Sequence, residues 1–195
     1  MHDIETHPLQ PFLPPQARLL MLGSFPPPRA RWCMDFFYPN RTNMMWEIFG
    51  LVFYNDASRL VDVPNKTFRK EEIVRLLMRQ GIAIFDTAQA VRRLQGNASD
   101  KHLEVVQKTD IPALLQSIPL CHDIVCTGQK SAETICSDYA APLPRPGENV
   151  PITININEGS QRQLLLWRMP SSSRAYPMKL EDKARYYQRV LLRTL

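Results

Sequence analysis

The apolar residues of this chain come in short blocks, each closed by a glycine or a polar residue, and their spacing alternates between two periods. Leu19-Leu20-Met21-Leu22 is unbroken and stops at Gly23, as a strand covered on both faces would. Ile82-Ala83-Ile84-Phe85 ends at Asp86, and Ile124-Val125-Cys126 ends at Thr127-Gly128, in the same manner. Helical spacing lies between these strands. Asn43 is placed to cap a helix over 44–49, and 70–80 carries Ile73, Leu76 and Leu77 on one side before Gly81 stops it. Asp110 or Thr109 opens a short helix over 111–117, and a further helix is expected over 129–140. Strands over 152–156 and 163–167 flank Asn157-Glu158-Gly159-Ser160, which reads as a hairpin turn. A closing helix over 180–195 places Leu180, Ala184, Tyr187 and Leu191 on an apolar stripe. Lys179, Lys183, Arg185, Arg189 and Arg193 are expected on its solvated face.

Strands alternating with helices predict an α/β fold, with three α/β/α layers around a short, mainly parallel central sheet. No internal repeat or long linker divides the chain, so residues 1–195 are expected to form one domain. In open sheets of this kind ligands bind beyond the carboxyl ends of the strands. The polar clusters of the sequence fall at those ends: Gly23-Ser24 with its long loop, Asp86-Thr87, Thr127-Gly128-Gln129, and Ser171-Ser172-Ser173-Arg174. One rim of the sheet is thereby marked as the working face.

Composition narrows the classes. With 195 residues, 44% hydrophobic and 22% charged, the chain can bury one substantial core. No apolar run approaches the ~20 residues of a membrane span. The opening MHDIETHPLQPFLPPQ lacks the basic start and apolar block of a secretory leader, so the cytoplasm is the expected compartment. An excess of 24 Lys+Arg over 19 Asp+Glu is compatible with a polyanionic partner. Cys33, Cys121, Cys126 and Cys136 form no Cys-x-x-Cys pair, so neither a zinc ribbon nor an iron–sulfur set is expected. The absence of Gly-Lys-Ser/Thr after Gly23, of His-Glu-x-x-His and of Gly-x-Ser-x-Gly disfavours P-loop, zinc-protease and serine-hydrolase chemistry.

Several stretches carry candidate chemistry. Gly23-Ser24-Phe25-Pro26 is a tight turn, read either as an ordinary glycine turn or as N–H donors aimed at an anionic oxygen. Phe36-Phe37-Tyr38 cannot all face one core, because successive side chains diverge, so at least one is available to stack on a flat ligand. Asn40 and Asn43 have turn and cap readings. Asp86 ends an apolar strand and needs a partner, supplied by a following turn or by a ligand N–H. Ser171-Ser172-Ser173-Arg174-Ala175-Tyr176 combines hydroxyls, a cation and an aromatic, which suit phosphate oxygens and a gap between stacked bases. A polar turn into a helix is the simpler alternative.

In order, Gly23-Ser24-Phe25-Pro26, the aromatic run, Asn43-x-x-Trp46, the strand ending in Asp86, Thr127-Gly128-Gln129-Lys130 and Pro170-Ser171-Ser172-Ser173 resemble the uracil-DNA glycosylase superfamily. The branch they look most like is the hypoxanthine (deoxyinosine) DNA glycosylase type, which reads roughly Gly-Ser-x-Pro, Tyr-Tyr-x-His-Pro-x-Asn-x-x-Trp and a later Pro-Ser-x-Ser. The resemblance spans residues 18 to about 187. It implies a four-stranded central sheet and hydrolysis of the bond between a deaminated base and deoxyribose, without metal or organic cofactor. The implied partner is DNA containing such a base, met by a monomer. The resemblance implies that Asn43, with its Asn-x-x-Trp spacing, orients water beside the donors of Gly23 and Ser24. Phe25, Phe36, Phe37, Tyr38 and Asp86 would then hold the base, and Arg41, Ser171, Ser172, Ser173, Arg174 and Tyr176 the DNA. No His precedes the asparagine, and Pro27-Pro28 stand where glycine is usual. Uracil against hypoxanthine, and Asn40 against Asn43, therefore stay open. The competing classes are a nucleic-acid-binding α/β protein without chemistry and an enzyme that cleaves free nucleosides.

Overall fold

The apolar blocks fold into an α/β arrangement. The computed structural model describes residues 3–94 and 103–193. Its strands are β1 (Ile4–Thr6), β2 (Leu19–Gly23), β3 (Val61–Asp62), β4 (Thr67–Phe68), β5 (Ile82–Asp86), β6 (Ala88–Arg93), β7 (Leu103–Lys108), β8 (Asp123–Cys126), β9 (Asn149–Asn157) and β10 (Ser160–Arg168). Its α-helices are α1 (Met45–Tyr54), α2 (Lys70–Gln80), α3 (Ile111–Ser117), α4 (Gln129–Asp138) and α5 (Leu180–Leu191).

The central sheet has the order β5-β2-β8-β10-β9. β5, β2, β8 and β10 run parallel, and β9 lies antiparallel at the edge. The sheet is thus mainly parallel but five-stranded, not four-stranded as expected. The extra strand is β9, whose Ile152, Ile154 and Ile156 are buried while the residues between them are exposed. It begins at Asn149, earlier than the expected 152, because Pro151, which has no N–H to give, is tolerated in an edge strand. Every residue of β2, β5 and β8 is buried, so both sheet faces are covered. α2 packs on β5, α3 on β9, and α4 on β8 and β10. α5 packs along α1.

A second, antiparallel sheet, β1-β6-β7, was not anticipated. It follows β5 directly, and Phe25, Ala88, Val91 and Leu103 form a small core under it. β1 pairs with β6 through Ile4↔Arg92, Glu5↔Val91 and Thr6↔Ala90. The buried Arg93 guanidinium fastens this sheet, bonding Glu5 at 2.8 Å and the Pro26 carbonyl at 2.7 Å.

Helix ends follow local chemistry. α2 stops at Gly81, whose φ of 62° is the left-handed conformation that only glycine adopts without strain. α1 runs past 49 to Tyr54 and ends at Asn55, also left-handed at φ 54°. α5 ends at Leu191 rather than 195, and residues 194–195 lie outside those described. Lys183 is not on the solvated face of α5. It is fully buried, three residues after Leu180 and four before Tyr187, hence on the apolar stripe itself.

Because four strands share one direction, their carboxyl ends meet at one rim. Gly23 and Asp86 are direct register partners there, as are Leu22 and Cys126. Thr127 and the segment after Arg168 complete the rim.

Candidate active site

A cleft of about 1030 Å³ opens along this rim. Its floor is the Gly23–Asp86 pair. A Cβ on residue 23 would lie 2.3 Å from Asp86 Oδ1 and 3.6 Å from Tyr38 Oη, so no side chain fits. The Gly23 and Ser24 carbonyls accept the N–H groups of Thr87 and Ala88 at 2.9 and 3.2 Å. Among the described residues no acceptor meets the N–H of Ser24 or Phe25, both of which line the cleft.

Asp86 is 7% exposed. Its Oδ2 lies 2.8 Å from His7 Nε2, and the His7 side chain is wholly buried. This partner went unseen in the sequence: a lone histidine in a proline-rich stretch has no local pattern. It arrives because β1 pairs with β6, and the His7 N–H then bonds the Gln89 carbonyl at 2.8 Å.

The aromatic run divides. Phe36 is buried, stacked on Trp46 at 6.2 Å and edge-on to Phe12 at 5.5 Å, and it does not reach the cleft. Phe37 and Tyr38 do line it. Tyr38 adopts φ 50°, an uncommon backbone state for a bulky residue, and its Oη shares a 2.9 Å hydrogen bond with Thr127 Oγ1. The Trp46 indole N–H donates to the Phe37 carbonyl at 3.1 Å, which holds the turn in place. Arg41 also misses the cleft, its guanidinium lying 5.1 Å over the Phe68 ring.

Asn40 and Asn43 both line the cleft. Asn40 Oδ1 accepts the Thr42 N–H at 3.0 Å, and Asn43 Oδ1 accepts the Met45 N–H at 2.9 Å. Each carboxamide oxygen keeps a second lone pair. Asn43 also pairs with Ser173 as an isolated antiparallel bridge, flanked by Met44 N–H to the Ser172 carbonyl at 2.9 Å and Arg174 N–H to the Thr42 carbonyl at 3.1 Å. The two long loops are therefore stitched backbone to backbone across one end of the cleft.

The serine loop is shaped by its own hydroxyls. Ser171 Oγ accepts the Ser173 N–H at 3.2 Å, and Ser173 Oγ accepts the Ala175 N–H at 3.3 Å. Ser172 is buried, Arg174 is exposed with a nitrogen 3.6 Å from Glu47 Oε2, and Tyr176 is half-buried; all three line the cleft. Beneath them the Lys183 ammonium donates to the Ser173 carbonyl at 2.6 Å, contacts Met44 Sδ at 3.7 Å and sits 5.6 Å over the Tyr176 ring. Burial, then the nearby Arg174 charge, lowers its pKa. Arg31, Lys130 and Arg168 add cations to the walls, and Glu133 adds an anion. Arg31 and Arg168 carried no signal in the sequence.

Among the described residues no three His, Cys, Asp or Glu side chains gather to hold a metal ion. Burial pushes the Cys121 thiol up to about 12 and raises Cys126 and Cys136 as well.

No family model matches this sequence, and no curated protein does. Among solved structures, the chain is similar to a solution NMR structure from Methanosarcina acetivorans, provisionally assigned as a uracil DNA glycosylase. The likeness covers 98% of this chain and 99% of that one, with a TM-score of 0.64 and 16% identity. It shows a shared fold. No described helix is long and apolar enough to cross a membrane.

Proposed function

We propose that this chain is a single-domain, monomeric DNA glycosylase of monofunctional type. It would hydrolyse the bond joining a deaminated base, uracil or hypoxanthine, to deoxyribose. The observation that carries this reading is the recessed Asp86 carboxylate at the floor of a cleft walled by Phe25, Phe37 and Tyr38. An ionised carboxylate only accepts hydrogen bonds. Uracil N3–H and hypoxanthine N1–H both offer a donor, whereas cytosine and adenine present a bare acceptor nitrogen there. The fold shared with the protein assigned as a uracil DNA glycosylase supports the same class.

The target base must first leave the stack, at a cost of a few kcal/mol that is least at mispairs. Arg174 and Tyr176, which line the cleft, would fill the vacated space, and the hydroxyls of the serine loop would meet phosphates. Breaking the glycosidic bond builds positive charge on the sugar and negative charge on the base. The Ser24 and Phe25 N–H groups stand ready for that negative charge, a contribution of about 3 kcal/mol per donor. Asn43 orients the attacking water through its remaining lone pair. An amide is no strong base, and a dissociative path requires none.

The test is a duplex carrying one uracil or hypoxanthine, incubated with the protein, treated with alkali and examined for a nick. Asn43→Ala should abolish most cleavage while DNA binding survives. Full turnover by that variant would reassign the water to another group, and no nick from the wild type would remove the reading. A nucleic-acid-binding protein without chemistry is the second reading. One observation favours it: Asn43, one residue outside the α1 N-cap Met44, already accepts the Met45 N–H through Oδ1, which suffices for a residue that merely closes the turn into the helix.

A further inference from the structure

The buried pair at the cleft floor carries more than shape. Two roles are open to Asp86: an ionised carboxylate accepts only, while a protonated carboxyl also donates and would suit an acceptor nitrogen. What surrounds it decides between them. The 2.8 Å bond needs one proton, and with that proton on His7 Nε2 the ring donates and Asp86 Oδ2 accepts. The other ring nitrogen meets both a donor and an acceptor, the Leu9 N–H at 3.1 Å and the Leu9 carbonyl at 2.9 Å. Nδ1 can thus accept the Leu9 N–H while Nε2 donates to Asp86. The imidazole cannot turn away, since Phe85, Phe25 and Phe37 surround it with ring centroids at 4.5, 5.3 and 6.2 Å. Oδ2 is therefore committed to His7. Oδ1 lies over Gly23 Cα, with no hydrogen bond to a described residue, on a side chain that lines the cleft.

We infer that His7 is the positioning residue that holds Asp86 as a fixed acceptor and so sets the selection of bases bearing a ring N–H over those bearing a bare ring nitrogen. This rests on the glycosylase reading above and names the device behind its selectivity. Without the Nε2–H, the carboxyl loses the bond that anchors Oδ2 and is free to turn. It then no longer holds a fixed acceptor against the base edge, and the penalty on adenine N1 or cytosine N3 is lost.

The experiment compares single-turnover cleavage of matched duplexes with hypoxanthine or adenine, and with uracil or cytosine, at one position. The proteins are the wild type, His7→Leu, His7→Gln and His7→Asn. Leucine removes the donor, glutamine keeps one at similar reach, and asparagine keeps one that falls short. His7→Leu and His7→Asn should lose the preference by about 10-fold or more, with DNA affinity retained, while His7→Gln preserves most of it. A purely structural histidine would instead lower cleavage of both bases alike and leave the ratio unchanged. If His7→Leu does not fold, the split between glutamine and asparagine decides. A ratio within about two-fold of wild type in Leu or Asn, or an equal loss in Gln and Asn, overturns the inference and leaves the glycosylase reading intact. A wild type that cleaves none of the four duplexes overturns both.

Discussion

Gly23→Ala perturbs the floor of the cleft at a single atom. The added Cβ would stand 2.3 Å from Asp86 Oδ1 and 3.5 Å from Asp86 Cγ, closer than real Cβ contacts come. The carboxylate must withdraw, and the direction of withdrawal strains its 2.8 Å bond to His7. A hydrogen bond to a charged group contributes about 1.5–3 kcal/mol. In a chain of this size each kcal/mol moves the melting temperature by about 2–4 °C. Calorimetry should therefore show a fall of roughly 3–12 °C, accompanied by loss of cleavage. Gly128→Ala is the internal control: nothing lies within 4 Å of the position its Cβ would take, and φ 169° is extended backbone open to any residue. It should melt within about 2 °C of wild type, because the narrower unfolded ensemble of alanine opposes the loss of glycine at the α4 N-cap. Asp86→Ala should absorb most of the Gly23→Ala penalty in a double-mutant cycle, since the clashing atom is gone. If Gly23→Ala melts and turns over like the wild type, or if the two penalties simply add, the carboxylate does not sit over Gly23 and the pair does not form the cleft floor.

Other outcomes follow from the same geometry. Arg174→Ala should leave stability within about 0.5 kcal/mol, as an exposed ion pair contributes little. It should reduce activity on duplex DNA more than on single strands, and equal losses would contradict its wedge role. Lys183 has its pKa lowered by burial, so the folded state pays for its charge below the folded pKa and is relieved of that penalty above the unfolded value, about 10.4. Denaturant titrations should thus show wild type gaining stability relative to Lys183→Met as pH rises from neutral through that alkaline window; a constant difference refutes this. A thiolate-directed alkylating reagent at mildly alkaline pH should label half-buried Cys33 in the native protein and spare Cys121 and Cys126, whose thiols are raised by burial. Peptide mapping that finds native Cys126 modified would sink that expectation.

The parallel strands were legible because each is an apolar run with an abrupt polar stop, and α2 because its stripe and its glycine agree. The same stops put Gly23, Asp86 and Thr127 at one rim, which is why the cleft falls where the strand rule placed it. The second sheet was not legible. Ala88–Arg93 and Leu103–Lys108 mix polar and apolar residues, and register shifts in their pairing blur the period of two. β9 was clipped by Pro151. Lys183 was misplaced by its charge, although its spacing from Leu180 and Tyr187 already assigned it inward; a lysine stem is as apolar as its neighbours. Phe36 and Arg41 show the limit of loop reading, where the direction of each side chain depends on contacts with Trp46, Phe12 and Phe68 that no local pattern encodes.

Strand β1 has a kinetic corollary. His7 and Asp86 are 79 positions apart, and β1 has no partner until Ala88–Arg93 has been made. Such remote pairings raise contact order and form slowly. A chain leaving the ribosome thus exposes the His7 imidazole well before the Asp86 carboxylate is there to receive it. The last link set into the cleft floor is thus one between the two most distant segments that meet there, and it waits for β1 to close onto β6.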